Sequence, residues 1–416
     1  MTLHWLYLDL NSYFASVEQQ INTQLRDKPV AIVPILTDAT CAIAASYEAK
    51  AYGIKTGTMI YEAKRLCPKL ICVKANHEQY VDYHHKILAE IEKYIPIEIV
   101  ASIDEVACKL IGKQCQEDEA RKLAKNIKKG LQKNIGECIR CSIGISPNRF
   151  LAKTASNLEK PNGLQILYTQ DVPERIKHFK LSDLTGIGRA LEYRLQKAGI
   201  LSIEELYKIP PKHMRKLWGN VQGERFWYML RGVEIPIDAT QRRTIGHSHV
   251  LEPKLRQVDL AQQVMSRLLL KAAGRLRRLQ YYTSNLNISF RTGNGLKVKG
   301  TKKFYRACDN ITLLSEATKI WNDLIKKNRI RSVKKISVTL FNLKKKSELQ
   351  PDLFTTEHQQ QHLTKRFESL SKAMDKINSR FGRDSIALGN IPSQIQSFSG
   401  TKIAFTRIPD KKEFNE

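Results

Sequence analysis

The sequence predicts a multidomain protein of mixed α/β and α+β class, and three observations carry that prediction. At 416 residues the chain exceeds what one hydrophobic core organises, so about two to four domains are expected. Residues 1–167 alternate short branched or aromatic runs with stretches whose apolar residues recur at three and four. Residues 243–341 alternate a second time, after a helical stretch broken by Gly and Pro and an extended linker.

In the first stretch, strands are expected at Leu6–Leu10, Ala31–Pro34, Leu70–Val73, Ile97–Ser102 and Cys141–Ile145. Helices are expected at Ser12–Gln20, Gln79–Tyr94 and Glu119–Leu131. Residues 182–231 read as short helices, and 232–242 as a linker poor in large apolar residues. Beyond it come a strand (244–251), a long helix (256–279), strands near 283–291 and 296–304, a helix (309–327) and a strand (332–341), a βαββαβ order. In 346–416 one helix stands out: Leu363, Phe367, Leu370, Met374, Ile377 and Phe381 step by four, three, four, three, four, and Gly382 can end it. Such a seam packs within the chain or meets a partner.

Hydrophobic content of 42% is globular, but a net charge of +28 and a pI near 9.7 imply a polyanionic partner. The charge is uneven: Arg242 to Lys346 holds 25 Lys/Arg against 5 Asp/Glu. No apolar run approaches the roughly 18 residues of a spanning helix, and the N-terminus lacks a signal-peptide pattern. Nucleic acid is therefore the expected partner, without a membrane. The eight cysteines show no framework spacing, which suits a reducing, cytoplasmic setting. Cys138-Ile139-Arg140-Cys141 resembles half a zinc site, but with no second pair at suitable spacing it reads as structural.

Two acidic positions stand out against their surroundings. Asp9 lies in Trp5–Leu10 and Asp104-Glu105 lies in Ile99–Ala107, both apolar strand-like runs. Burying such acids is costly unless something positive meets them. Neighbouring strands whose carboxylates converge on Mg2+ would explain both; helix-capping acids are the plainer alternative. Just downstream, Asn11 or Ser12 can cap a helix whose free N–H groups would face a triphosphate.

Asp9 with Tyr13-Phe14-Ala15-Ser16-Val17-Glu18, and Ser102-Ile103-Asp104-Glu105, resemble the paired signature of Y-family (translesion) DNA polymerases of the bacterial polymerase IV and UmuC type. Ser46–Lys50 with Tyr52–Lys55, Ser142–Ser146 with Ala152-Lys153, and Lys160–Gly163 fall in the family's order. The resemblance spans roughly residues 5–345 and implies a right-hand polymerase. It implies a ferredoxin-like palm (1–22 and 77–167), small fingers (23–76), a helical thumb (168–231) and a βαββαβ little finger (243–345). Asp9 and Asp104 would bridge two Mg2+ ions, with Glu105 on the catalytic one and the Leu10 carbonyl on the other. Phe14 would act as a steric gate under the incoming sugar, and Tyr47, Lys50 and Lys160 would contact the triphosphate. The sequence departs from the family at Lys50, where Arg is usual, so a point charge replaces a bidentate fork. Asn11 stands where many members have Asp, and Ile43 where a small residue often roofs the new base pair, which implies lower tolerance of bulky adducts.

Leu184–Ala190, with Gly186, Gly188 and Arg189, reads as the turn of a helix-hairpin-helix whose glycines let backbone approach phosphate. Lys271, Arg275 and Arg278 share a helical face, while Arg291, Lys297, Lys299, Lys302 and Lys303 flank or sit on strands. Contacts of this kind to primer-template DNA give affinity without sequence reading. Gln350-Pro351-Asp352-Leu353-Phe354 is similar to the peptide by which bacterial polymerases dock on the sliding clamp, with Gln350, Leu353 and Phe354 as anchors; a locally packed linker is the alternative. The terminal helix could take a regulatory or recombinase partner. The function expected is template-directed insertion of deoxynucleoside triphosphates opposite damage, without proofreading. The alternative is a catalytically silent scaffold binding DNA, clamp and damage-response partners; the presence of Asp9, Asp104 and Glu105 argues against it.

Overall fold

A computed structural model describes residues 2–236, 241–349, 358–382, 385–388 and 408, with the side chains of 358–364 excepted. The clamp-like anchors Gln350, Leu353 and Phe354 lie outside the described residues. The chain forms two compact units, one within Met1–Ile237 and one within Asp238–Lys402.

The first unit opens with β1 (Trp5–Leu10) and α1 (Tyr13–Ile21). A small sheet follows from β2 (Val30–Val33), β3 (Ala44–Ala45) and β4 (Ile71–Lys74), in order β3-β2-β4, with α2 (Tyr47–Lys50) and α3 (Ile60–Leu66) inserted. It has its own apolar core around Ala31, Val33, Ile54 and Ile60. Then come α4 (His77–Ile91), β5 (Ile99–Val100), β6 (Glu105–Lys109), α5 (Glu117–Asn134), β7 (Cys141–Ser146), α6 (Arg149–Ser156) and β8 (Leu164–Ile166). The main sheet runs β5-β6-β1-β7-β8.

The run from Ile99 to Ala107 is not one strand. It is a hairpin, with β5 and β6 antiparallel and residues 101–104 forming the turn. Asp104 ends that turn and Glu105 starts the strand after it. Period-2 alternation cannot show such a break, because the turn holds only Ala101, Ser102 and Ile103 before the acid.

Four short helices complete the unit: α7 (Arg189–Lys197), α8 (Ile203–Lys208), α9 (Pro211–Trp218) and α10 (Gln222–Leu230). They pack around Leu195, Ile203, Leu206, Met214 and Phe226. The start of the expected linker is fastened: Asn148 Nδ2 donates to the carbonyls of Met229 (2.7 Å) and Val233 (3.0 Å).

The second unit has the βαββαβ order read from its sequence. β9 (Thr244–Val250), α11 (Val258–Arg278), β10 (Tyr281–Arg291), β11 (Lys297–Ala307), α12 (Asn310–Asn328) and β12 (Lys335–Lys345) form an antiparallel sheet of order β11-β10-β12-β9. Leu286, Ile288, Phe290, Ile336, Val338 and Leu340 alternate into one core with α11 and α12. A further helix, α13 (His358–Phe381), packs on this unit. Arg277 is 7% exposed and is its anchor. The guanidinium grips Asp375 of α13 with two nitrogens at 2.6 Å, and also donates to the Cys308 carbonyl and Asn310 Oδ1. Tyr282 donates to Glu368, and Ser371 Oγ accepts the N–H of Asn310. Of the terminal seam, Met374 is buried and Phe367 and Ile377 are half-buried, whereas Leu370 and Phe381 stay exposed; the Leu363 side chain lies outside the described residues.

Candidate active site

The register of the main sheet assembles the acids. Asp9 of β1 stands opposite Glu105 on β6 and opposite Ser142 on β7. Residues directly opposite share a face, so Ser142, Asp9 and Glu105 form one row across three strands. Two residues back, Gly144, Tyr7 and Ala107 form the next row on the same face. There α6 crosses so close to Gly144 that a Cβ would lie 2.0 Å from the Ala152 carbonyl oxygen. That approach delivers Lys153, which forms an ion pair with Glu105 and sits 5.0 Å from the centre of the Tyr7 ring.

Each acid has a distinct environment. Asp9 is 8% exposed, and Lys160 Nζ lies 2.7 Å from its Oδ2. Glu105 accepts from the Tyr7 hydroxyl at 2.7 Å as well as from Lys153. Burial works to raise the Glu105 carboxyl, but Lys153, Tyr7 and Lys160 outweigh it and hold it below the usual carboxylate range. Asp104 accepts from Ser102 Oγ. Burial pushes its carboxyl above the usual range; the Ser102 hydrogen bond opposes this, and the charges of Asp9 and Glu105 add to the rise. Among the described residues no three acidic, His or Cys side chains close to metal-binding geometry. Asp9 and Glu105 are turned to lysines, while Asp104 feels the charge of both. A half-buried acid beside two others, with a hydroxyl as its donor, fits a site that a divalent cation would stabilise.

Lys160 rides on a loop that Asn11 and Ser142 hold. Asn11 Oδ1 accepts the N–H of Asn162 (2.8 Å), and its Nδ2 donates to Ser142 Oγ (3.2 Å). The Ser142 hydroxyl donates to the Glu159 carbonyl (3.1 Å) and accepts from the Gly163 N–H (3.2 Å). Lys128 Nζ donates to the Asn162 and Gly163 carbonyls from α5. Neither Asn11 nor Ser12 caps α1 with its side chain: Ser12 occupies the N-cap position in a left-handed conformation (φ 50) and makes no cap bond. Asn11 spends its amide on the Lys160 loop instead.

Tyr47 and Lys50 meet on α2, where Lys50 Nζ lies 4.4 Å from the centre of the Tyr47 ring. Lys50 keeps solvent access, yet surrounding protein draws its pKa down, Lys160 adds to this, and Asp9 opposes it. Burial and the Asp9 charge push the Tyr47 hydroxyl up to about 12. Tyr47, Lys50, Lys160 and Asp9 therefore sense one another. Phe14 stacks on Tyr80 at 4.4 Å and 15°, and Tyr80 donates to Glu18. Leu10 pairs with Cys141, and its N–H reaches the Asp104 carbonyl at 2.8 Å.

In the helical region Gly186 has φ 98, Gly188 is the N-cap of α7 and Arg189 is its first residue; a Cβ at either glycine would meet nothing. The cationic residues of the second unit fall into two groups that the fold does not bring together. Arg291, Lys297, Lys299 and Lys303 are on the sheet face opposite the core, among Asn287, Ser289 and Thr301. Lys302 has the other parity and is ion-paired with Glu316 on α12 at 2.8 Å, so it is not on that face. Lys271, Arg275 and Arg278 belong to α11, in the helical layer beneath the sheet. Sequence reasoning missed Tyr7, Ser142 and Lys128 as supports. The two-residue step from Tyr7 to Asp9 was the available signal for the first, Ser142 opens a segment that falls in the family's order but carries no role there, and nothing local marks Lys128.

These arrangements are those of a template-directed polymerase fold. A chimeric Y-family DNA polymerase built from Dbh and Dpo4 superposes with a TM-score of 0.70 at 22% identity, covering 82% of this chain and 98% of that one. The insertion ternary complex of Dbh DNA polymerase matches with a TM-score of 0.54 at 25% identity, over 82% and 98%. Residues 8–157 match the impB/mucB/samB family, 242–353 its C-terminal domain, and 182–234 the thumb domain described for DNA polymerase-iota. DNA polymerase IV of Pelotomaculum thermopropionicum is 30% identical over 397 residues, covering 92% of this chain and 93% of that protein. DNA polymerase IV 1 of Bacillus subtilis is 28% identical over 391 residues, 92% of each. The chain belongs to the impB/mucB/samB family of Y-family DNA polymerases, and its fold is the right-hand one with palm, fingers, thumb and little finger.

Proposed function

We propose that the chain extends a primer by template-directed nucleotidyl transfer across damaged DNA, with Asp9, Asp104 and Glu105 as the metal-binding acids. The observation that carries this reading is the Ser142–Asp9–Glu105 row with Asp104 beside it, ringed by Lys160, Lys153 and Lys50. Two Mg2+ ions held by these acids and the Leu10 carbonyl would supply activation of the primer 3′-hydroxyl and neutralisation of the departing pyrophosphate. The chain's own residues do the rest. Lys160 and Lys50 draw the triphosphate to the acids, and Tyr47 donates a hydrogen bond to it. Lys50 does so as a point charge, without the planar fork of Arg. Phe14, backed by Tyr80, fills the volume a 2′-hydroxyl would need. Tyr7 and Lys153 orient Glu105.

Palm, fingers, thumb and little finger are assigned to 1–22 with 77–167, 23–76, 168–231 and 243–345. Gly186, Gly188 and Arg189 receive a DNA backbone at the start of α7. Arg291, Lys297 and Lys299 present a second cationic surface to the duplex, and Lys271, Arg275 and Arg278 a third. Primer extension in Mg2+ tests the core of the reading. The chain should extend, Asp104→Ala should not, and Phe14→Ala should admit ribonucleotides. Failure of the unaltered chain to extend would favour the scaffold.

Gln350, Leu353 and Phe354 are proposed to dock on a sliding clamp. Replacing Leu353 and Phe354 by Ala should abolish stimulation by clamp while sparing distributive synthesis; surviving stimulation would refute the assignment.

A further inference from the structure

The hairpin turn that carries Asp104 is held from both sides. On one side Leu10 N–H donates to the Asp104 carbonyl at 2.8 Å. On the other, His84 of α4 places its Nδ1 2.8 Å from the carbonyl oxygen of Ile103. Ile103 lies outside the β5–β6 ladder, whose pairs are Ile99 with Ala107 and Val100 with Val106, so its carbonyl needs another donor. His84 is 1% exposed, and a buried imidazole is retained only where it is hydrogen-bonded. Burial draws its pKa down, the Ile103 bond opposes this and His85 adds to it, so the ring is neutral at physiological pH. A neutral ring that meets a carbonyl through Nδ1 must carry its proton there.

The geometry is specific to one residue. A peptide carbonyl fixes the plane it belongs to. The Ile103 carbonyl belongs to the plane before Asp104, and the Asp104 carbonyl to the plane after it. With both planes pinned, φ and ψ of Asp104 are set, and with them the direction of its Cα–Cβ bond, from which Ser102 Oγ holds the carboxylate. We infer that His84 is a positioning residue for Asp104, so that affinity for a divalent cation depends on a side chain that touches neither cation nor substrate. The inference rests on the reading of Asp9, Asp104 and Glu105 as metal-binding acids.

Its test uses Mn2+ binding to the full chain, followed by electron paramagnetic resonance without DNA or nucleotide. The Mg2+ dependence of primer extension is measured beside it. His84→Leu keeps the bulk and loses the donor; His84→Asn keeps a donor near the Nδ1 position. Outer partners of metal ligands typically shift affinity by about 10–100-fold. His84→Leu should therefore weaken Mn2+ binding about tenfold and raise the half-maximal Mg2+ concentration similarly, with DNA affinity unchanged. His84→Asn should recover most of the loss. Wild-type Mn2+ affinity in His84→Leu, or equal losses in both variants, would overturn the inference. A measurement on the unaltered chain stands apart from any folding defect: the 15N spectrum should show the Nδ1–H tautomer, and the Nε2–H tautomer would also overturn it. Asp104→Ala separates the two claims, since undiminished Mn2+ binding there would sink the acid assignment itself rather than the role of His84.

Discussion

The acid row of the first unit and the open sheet face of the second both suit phosphate, yet they are built on opposite principles. In and beside the row each carboxylate has its own environment: Lys160 for Asp9, Tyr7 and Lys153 for Glu105, and Ser102 for a half-buried Asp104. On the open face, Arg291, Lys297, Lys299 and Lys303 are spaced along two strands among Asn, Ser and Thr. Chemistry needs atoms at fixed positions, so supports are dedicated and losses large. Holding a sequence-independent polyanion needs only summed charge, so each contact is small and exchangeable.

Acid should separate the two regions most sharply. The Asp104 carboxyl is raised and the Glu105 carboxyl lowered, so as pH falls Asp104 is the first of the two to take a proton. Extension should fall through a pH above the ordinary Asp value of about 3.9, while Lys and Arg on the sheet keep their charge and DNA affinity holds. Higher Mg2+ should move the acid limb downward, because cation and proton compete for the same oxygens. Rates and DNA affinity that decline together would erase the contrast. A smaller effect is expected of Tyr7→Phe, which removes one hydrogen bond to a charged group worth about 1.5–3 kcal/mol. Single-turnover extension should slow by about tenfold or more with primer affinity unchanged, and an unaltered rate would mean that Lys153 alone orients Glu105. Smallest of all, Lys299→Ala should weaken DNA binding a few-fold and lower the salt dependence by about one unit of slope. A loss as deep as that of an acid would show that the sheet face is itself a precise site.

The two regions were also unequally legible. The βαββαβ order was readable because each strand buries one face only, and alternation such as Leu286, Ile288, Phe290 survives in a linear reading. The acids were readable because a carboxylate in an apolar run is conspicuous. Their supports were not, since Lys153 reaches Glu105 through a close helix crossing at Gly144 and Ser142 joins the row through strand register. Neither relation has a local signature. Helical periodicity grouped Lys271, Arg275 and Arg278 correctly on α11, but it could not tell which side of the sheet that helix covers. Lys302 shows the same limit at single-residue scale, where one step along β11 exchanges an open face for an ion pair with Glu316.

The grip of Arg277 on Asp375 ties a helix beyond the last strand back to the sheet module. The guanidinium beneath α13 is bonded within the module to the Cys308 carbonyl and Asn310, and α13 adds the carboxylate of Asp375. The terminal helix is thus a late-arriving part of a module whose strands are complete by Lys345. A chain clipped after β12 would carry its whole sheet and keep the Arg277 bonds to the Cys308 carbonyl and Asn310, but would lose the Asp375 pair at the C-terminal end of α11. The βαββαβ module is therefore fastened from outside its own strands, by a helix that follows the last of them.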